Sequence, residues 1–250
     1  MADKMDMYYF SPTGGTKKVS SIFAAALGRD VVWHNLGSKQ TISGKPQGEL
    51  TVVAAPVFGG RIPSVVREKI KMLDGKGKKA VTIAVYGNRA YEDALLELND
   101  ILIESGFTVI ASAAFVAQHS IVPEVGAGRP DFEDEKEIRT FAEAVQRSTA
   151  AENVHVPGNH PYKPEMNVAV TPISLPSCTA CGVCEKVCPT AAIAQEDGKM
   201  VTDAEKCILC MACITACPQQ ARVLPPPLLQ KTENMLAAFK TVRNKNEVFF

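Results

Sequence analysis

Eight cysteines, all lying between Cys178 and Cys217, have the most demanding spacing in this 250-residue chain. Cys178-x2-Cys181-x2-Cys184-x3-Cys188-Pro189 is followed by Cys207-x2-Cys210-x2-Cys213-x3-Cys217-Pro218, and the step from each cysteine of the first set to its counterpart in the second is constant. Three thiolates at x2 spacing in one loop can take three corners of an iron–sulfur cubane, while the fourth points away across a pseudo-two-fold and serves the other cluster. The spacing predicts one 4Fe-4S cluster on Cys178, Cys181, Cys184 and Cys217 and a second on Cys188, Cys207, Cys210 and Cys213. Small neighbours such as Ala180, Gly182, Ala212 and Ala216 let backbone N–H groups approach sulfur. The competing chemistry is a pair of zinc sites, because C-x2-C pairs also bind zinc; a triple-cysteine run followed by C-x3-C-P, given twice, argues for clusters.

A second constellation lies near the N-terminus. Ser11-Pro12-Thr13-Gly14-Gly15-Thr16 follows an apolar run and opens a helical pattern. Its glycines permit a tight turn, its hydroxyls supply donors, and a helix N-terminus offers free N–H groups, so the loop suits a phosphate monoester without any arginine. The plainer reading is a helix cap. The loop is neither G-x-x-x-x-G-K-[ST] nor G-x-G-x-x-G, so it signals neither a P-loop nor a Rossmann dinucleotide site. Two further loops suggest a ring system beside the phosphate. Pro56, Val57, Phe58 and Gly59 bring an aromatic flanked by permissive backbone, with Phe58 either covering a ring face or packing on the sheet edge. Gly87, Asn88, Arg89 and Tyr91 bring amide, guanidinium and phenol groups, with Tyr91 alternatively a helix-start residue.

The elements that must position these loops are legible as alternating apolar runs and helical patterns, the signature of a βαβ series around a parallel sheet. Strands are expected at 5–10, 31–34, 50–55, 80–86 and 108–117. Val19, Ile22, Phe23, Ala26 and Leu27 repeat at helical spacing and stop at Gly28; Ala94, Leu95, Leu98, Ile101 and Leu102 do so before Gly106; a further helix is expected across 134–146. In a flavodoxin-like sheet of order 2-1-3-4-5 a ligand binds at the carboxyl ends of strands one and three, where the first two loops fall. Trp33 is expected in strand two and the core. The chain divides into 1–149, a Pro-broken linker at 150–170, the cysteine domain at 171–224 and a helical tail at 225–250 that starts after three prolines.

These residues carry two resemblances. The cysteine segment resembles the bacterial-type two-cluster ferredoxins. Ser-x-Thr-Gly-x-Thr with the two later loops resembles the flavodoxins, whose cofactor is FMN. YFSPTGGT, PVFGGRIP and YGNRAYED ahead of the cysteine repeat make the whole chain similar to flavodoxin–ferredoxin fusion proteins of anaerobic bacteria and archaea. The resemblance implies an α/β flavodoxin-like five-stranded parallel sheet followed by a small α+β ferredoxin-like domain. It also implies electron transfer between two clusters and FMN, with a ferredoxin-type protein or a flavoenzyme as redox donor or acceptor. FMN-dependent reduction of a small organic substrate is the alternative, and a redox-sensing module a weaker one.

Composition narrows the classes further. There are 27 basic and 27 acidic residues, and division at residue 149 leaves each part balanced, which points away from nucleic acid and anionic membranes. Free flavodoxins are usually acidic and dock by that charge, so this balanced domain departs from the family pattern. No apolar stretch reaches the roughly 18 residues of a membrane span and no export signal is evident, so a cytoplasmic protein without membrane insertion is expected. Assembly as a homodimer stays open. His119 follows strand five and is read mainly as a surface residue; His34, His155 and His160 have no partners in any recognisable pattern.

Overall fold

The strands at the centre of this protein are continuous apolar runs because both of their faces are covered. The computed structural model describes residues 4–166 and 170–250; residues 167–169 of the expected linker lie outside them. β1 (Lys4–Tyr9), β2 (Asp30–Asn35), β3 (Leu50–Pro56), β4 (Lys79–Tyr86) and β5 (Thr108–Val116) form a parallel sheet in the order 5-4-3-1-2. This is the expected flavodoxin-like order, and each strand lies within about one residue of its expected limits.

Helices cover both faces. α1 (Gly15–Leu27) and α4 (Phe132–Arg147) lie on one side, where Val19, Phe23, Leu27, Ile138, Phe141 and Val145 pack on Met5, Met7, Val52 and Ile83. α2 (Ser64–Ile70) and α3 (Ala94–Glu104) lie on the other, with Val66, Ile70, Leu98, Ile101 and Leu102 against Tyr8, Val53 and Ala80. Phe23 is fully buried and its ring centroid lies 5.5 Å from that of Phe141. Side chains of this size contribute about 1.5–3 kcal/mol each on burial. One polar cluster behind the sheet is fully paired: Thr82 Oγ1 donates to Asn99 Oδ1 at 2.6 Å, and both meet Ser112 Oγ.

Trp33 departs from expectation. β2 is the edge strand, so Trp33 is partly exposed, with the Lys17 ammonium over its ring and Tyr9 edge-on to it. His34 has a partner after all: Nε2 lies 2.6 Å from the buried Asp6 carboxylate, and the ring stacks on Tyr8. His160 likewise meets Asp100.

The cysteine domain contains two antiparallel pairs. β6 (Ile173–Ser174) pairs with β9 (Arg222–Val223), and β7 (Ile193–Glu196) with β8 (Lys199–Thr202). The second pair turns at Asp197-Gly198, both with positive φ, as a two-residue hairpin turn requires. Short helices α5 (Val183–Val187) and α6 (Ala212–Thr215) begin at matching positions of the cysteine repeat.

The tail is more than a helix. α7 (Pro226–Leu236) begins where the three prolines preset its first turn. A short 3-10 turn follows, and β10 (Glu247–Phe249) then returns to the N-terminal domain and adds a sixth, antiparallel strand beside β5. The expected five-stranded sheet thus gains an edge strand drawn from the far end of the chain. Among the described residues no helix is long and apolar enough to cross a membrane.

Candidate functional site: a large cavity beside two cysteine cavities

The loops at the carboxyl ends of the parallel strands converge on a cavity of about 510 Å³. It opens between β1 and β3, where the strand order reverses, the place at which open α/β sheets bind ligands. From the first loop come Ser11, Thr13, Gly15 and Thr16. Gly14 stands behind them as the left-handed residue that starts α1, and Ser11 Oγ accepts the Lys17 N–H at 2.8 Å. A methyl group on Gly15 would come within 3.2 Å of the Ala117 Cβ, so the loop rests closely on the sheet end. No acidic residue occupies the first turn of α1, which leaves the N–H groups of Gly15 and Thr16 and the helix dipole for an anion.

Pro56, Val57, Phe58 and Gly59 form the second wall. Phe58 and Arg61 close a tight turn by mutual backbone hydrogen bonds of 2.9 and 3.1 Å. Behind it the buried Glu97 carboxylate accepts from Arg61 Nε and Nη2 and from the Ile62 N–H, at 2.7–2.9 Å. Gly87 and Arg89 form the third wall. Arg89 pairs with Glu92 at 2.9 Å, as does Lys163 at 2.7 Å.

Asn88 and Tyr91 take other work. Asn88 is fully buried and clamps the tail: its Nδ2 donates to the carbonyls of Phe239 and Val242, and its Oδ1 accepts from the Asn244 N–H at 3.1 Å and Arg129 Nη1 at 3.2 Å. Arg129 in turn forms a buried fork with Asp134. Tyr91 donates to Glu247 of β10 at 2.7 Å, and Tyr86 to the Lys245 carbonyl at 2.7 Å. Neither Asn88 nor Tyr91 lines the cavity; both tie down the chain that roofs it.

The roof is the part that sequence reading did not anticipate. Leu228, Thr232, Met235 and Leu236 of α7, Leu209 and Cys210 of the cysteine domain, and residues 163–166 of the linker all line the cavity. The linker is held by Asp93, whose carboxylate accepts the N–H groups of Asn159 and Lys163 at 2.9 and 2.7 Å. Burial opposes ionisation of Asp93, but these donors hold its carboxyl below the usual range. His119 also lines the cavity, packed so closely on Gly87 that a methyl there would meet its ring at 2.4 Å. Its Nδ1 accepts the N–H groups of Ile121 and Val122, both at 3.2 Å, which leaves the proton on Nε2. Burial, helped by the Arg89 charge, lowers its pKa to about 4. The signal in the sequence was its place after strand five, at the same sheet edge as the other loops.

The cysteines gather around two smaller cavities. One is lined by Cys178, Cys181, Cys184 and Cys217, the other by Cys188, Cys207, Cys210 and Cys213. The backbone around them repeats with the sequence. Ala180 and Leu209, Gly182 and Met211, and Ala191 and Gln220 occupy matching positions of the repeat, and all six have positive φ. The Ala192 N–H reaches Cys188 Sγ and the Ala221 N–H reaches Cys217 Sγ, each at 3.2 Å. No carboxylate or imidazole lines either cavity. Among the described residues no group of three or more His, Cys, Asp or Glu side chains is arranged to hold a metal ion, whereas a cubane spreads its four thiolates around a larger body. Sulfur donors, inward N–H groups and apolar walls fit iron–sulfur clusters.

Residues 177–221 match the family of 4Fe-4S dicluster domains. Ferredoxin-1 of Rhodobacter capsulatus is 46% identical over 46 residues, which cover 16% of this chain and 71% of that protein. Through this segment the chain belongs to the dicluster ferredoxins. Ferredoxin Fdx2 of Sorangium cellulosum is 39% identical over 67 residues, 24% of this chain and 65% of its own length. The chain spans less than two thirds of Fdx2 and of other curated relatives sharing the segment. Among solved structures, flavodoxin 1 of Bacillus cereus aligns with 58% of this chain and 99% of its own, at 18% identity and a TM-score of 0.44. The strand order described above gives the N-terminal domain its flavodoxin-like fold, so the chain joins that fold to a dicluster ferredoxin. The cysteine segment, as a dicluster ferredoxin, is of the kind that carries electrons.

Proposed function

We propose that this chain passes electrons one at a time between an external redox partner and FMN in the large cavity, by way of two clusters. The outer cluster is held by Cys178, Cys181, Cys184 and Cys217, the inner one by Cys188, Cys207, Cys210 and Cys213. The observation that carries this reading is Cys210, which lines both the inner cysteine cavity and the large cavity. Cys181, its counterpart in the repeat, is exposed. FMN bound there supplies a centre that takes up electrons singly and releases them singly or in pairs.

The chain's own residues hold and orient that group. The N–H groups opening α1 at Gly14 and Gly15, with the hydroxyls of Ser11, Thr13 and Thr16, receive its phosphate. Pro56, Val57, Phe58, Gly59 and Gly87 border its ring system, and Arg89 offers a guanidinium. Asn88 and Tyr91 act through the tail they anchor, so that α7 excludes water from the cavity. A ferredoxin-type protein or a flavoenzyme is the external partner, approaching at the exposed Cys181.

Anaerobic reconstitution tests the cofactors: about eight irons and one FMN per chain are expected from two cubanes and one flavodoxin-type site. Zinc in place of iron, or no flavin, overturns the reading. The alternative, reduction of a small organic substrate at the flavin, is favoured by one observation: a neutral imidazole carrying its proton on Nε2 lines the cavity. A screen of small electrophiles against the reduced protein separates the two, since a carrier turns over only protein and artificial acceptors.

A further inference from the structure

The largest fully buried side chain among the described residues is a cation, Arg222, in β9 of the cysteine domain. Burying a guanidinium away from water is costly unless charge and hydrogen bonds compensate it. The oxygens it donates to are all neutral, and it also lies within hydrogen-bonding reach of the Cys213 thiol. Nη1 donates to Ser174 Oγ at 2.9 Å and the Met200 carbonyl at 3.1 Å; Nη2 donates to the Pro172 carbonyl at 3.0 Å and to Thr202 Oγ1. Among the described residues no carboxylate pairs with it, and its Nε–H is buried with no partner in the protein. The charge therefore lacks a counter-ion within the described polypeptide.

Its surroundings supply one. Arg222 lines the cavity of Cys178, Cys181, Cys184 and Cys217. The guanidinium charge also reaches thiols of both sets. Burial pushes Cys184, Cys207 and Cys213 up, and Arg222 opposes that rise at each. Cys217 is drawn down: burial opposes the shift, but the N–H groups of Ala221, Gln219 and Arg222, with the Arg222 charge, override it. At the equivalent position of the first half of the repeat stands the uncharged Ile193. The repeat is thus broken at the one position that puts a fixed positive charge between the two sets.

Resting on the cluster reading above, we infer that Arg222 is the internal counter-ion of the iron–sulfur clusters and holds their reduction potentials up. A four-thiolate cluster is anionic and becomes more so with each electron it accepts, so a buried cation beside it stabilises the reduced form. The outer cluster, whose cavity Arg222 lines, feels this most. Arg222 is a positioning and tuning residue: it ligates no iron.

The test is a dithionite titration with redox mediators, monitored by EPR, on reconstituted wild type, Arg222→Gln and Arg222→Lys, with iron and sulfide counted in each. If Arg222→Gln takes up both clusters, its reduced-to-oxidised ratio at a fixed poise should fall about tenfold, equivalent to 59 mV for one electron, while Arg222→Lys stays near wild type. Unchanged potentials in a fully loaded Arg222→Gln overturn the proposal. If Arg222→Gln cannot load, recovery of iron and wild-type potentials in Arg222→Lys supports it. Failure of both variants, with wild type loaded, assigns the residue to shape rather than charge and overturns it. A wild type without clusters is a different outcome, because it removes the cluster reading itself.

Discussion

The two halves of the cysteine repeat share a backbone and differ in what covers them. Their helices, left-handed residues and N–H groups on sulfur fall at matching positions throughout. Yet Cys181 is exposed, while burial pushes the thiol of Cys210 up to about 12. The N-terminal domain and α7 close over one loop and leave the other free. A duplicated motif thus acquires an inside and an outside from its packing, without any change in ligand chemistry. Direction along an electron path can arise in this way from a symmetric device.

The sharpest way to break this comparison is to remove one equivalent cysteine at a time. Cys210→Ala should slow flavin reduction through the clusters about hundredfold, equivalent to about 2.7 kcal/mol of added barrier, in stopped-flow traces with a ferredoxin donor. Cys181→Ala should impair delivery from that donor but leave flavin reduction by a small photoreduced dye at its wild-type rate. Equal effects of the two variants in both assays would remove the distinction between inner and outer cluster.

A smaller effect is expected from uncovering the inner half. Asn88→Ala deprives the Asn244 N–H of its acceptor and the Phe239 and Val242 carbonyls of their donor, at about 1–3 kcal/mol for buried polar groups left unpaired. The tail then loosens and the roof with it. FMN affinity, followed by fluorescence titration, should weaken about tenfold, or about 1.4 kcal/mol, while iron content is unchanged. Iron loss in place of flavin loss would place the tail's role in the wrong domain.

Much of this arrangement was legible before any coordinates. Cysteine spacing carried the grouping of the thiols around two cavities because such loops are local, and the apolar runs carried the strand limits because both sheet faces are buried. The place of Ser11, Thr13 and Thr16 at the large cavity was legible because a turn after a strand and before a helix has few uses. What failed were contacts between distant parts of the chain. Asn88 reads as a ring ligand when only its own loop is considered, yet its partners lie at the far end of the chain, in Phe239, Val242 and Asn244. β10 is too short to be read as a strand by itself, and it exists because the edge of β5 is there to pair with. Trp33 lies in strand two as expected but outside the core, because an edge and a central strand can share one local pattern. Arg222 carries no local signal at all beyond breaking the repeat.

His119 allows a test of the flavin side by pH. Its folded pKa of about 4 lies below the ordinary value of 6.5, from burial first and then the Arg89 charge. The unfolded chain therefore takes up a proton that the folded one refuses. The stability tied to the neutral ring is present above about pH 6.5 and is lost as pH falls towards 4. Denaturation midpoints measured across that window should slope downward with acid, and His119→Gln should flatten the slope; a wild-type profile already flat would sink the idea.

The smallest effect tests whether the two halves are as alike in backbone as they look. Gly182 and Met211 occupy the same left-handed position, with φ of 74° and 63°. The inner half therefore tolerates a side chain where the outer half has none. A methyl at Gly182 would find no atom closer than Glu185 at 4.0 Å, so Gly182→Ala meets a backbone preference and no clash. Its cost should be about 1–2 kcal/mol, the ordinary left-handed preference of a non-glycine residue, read as a lowered chemical-denaturation midpoint of the cluster-loaded protein with iron content intact. A loss several times larger, or loss of the outer cluster alone, would show that the glycine makes room for something the inner loop lacks, and that the likeness of the halves ends at their backbone angles.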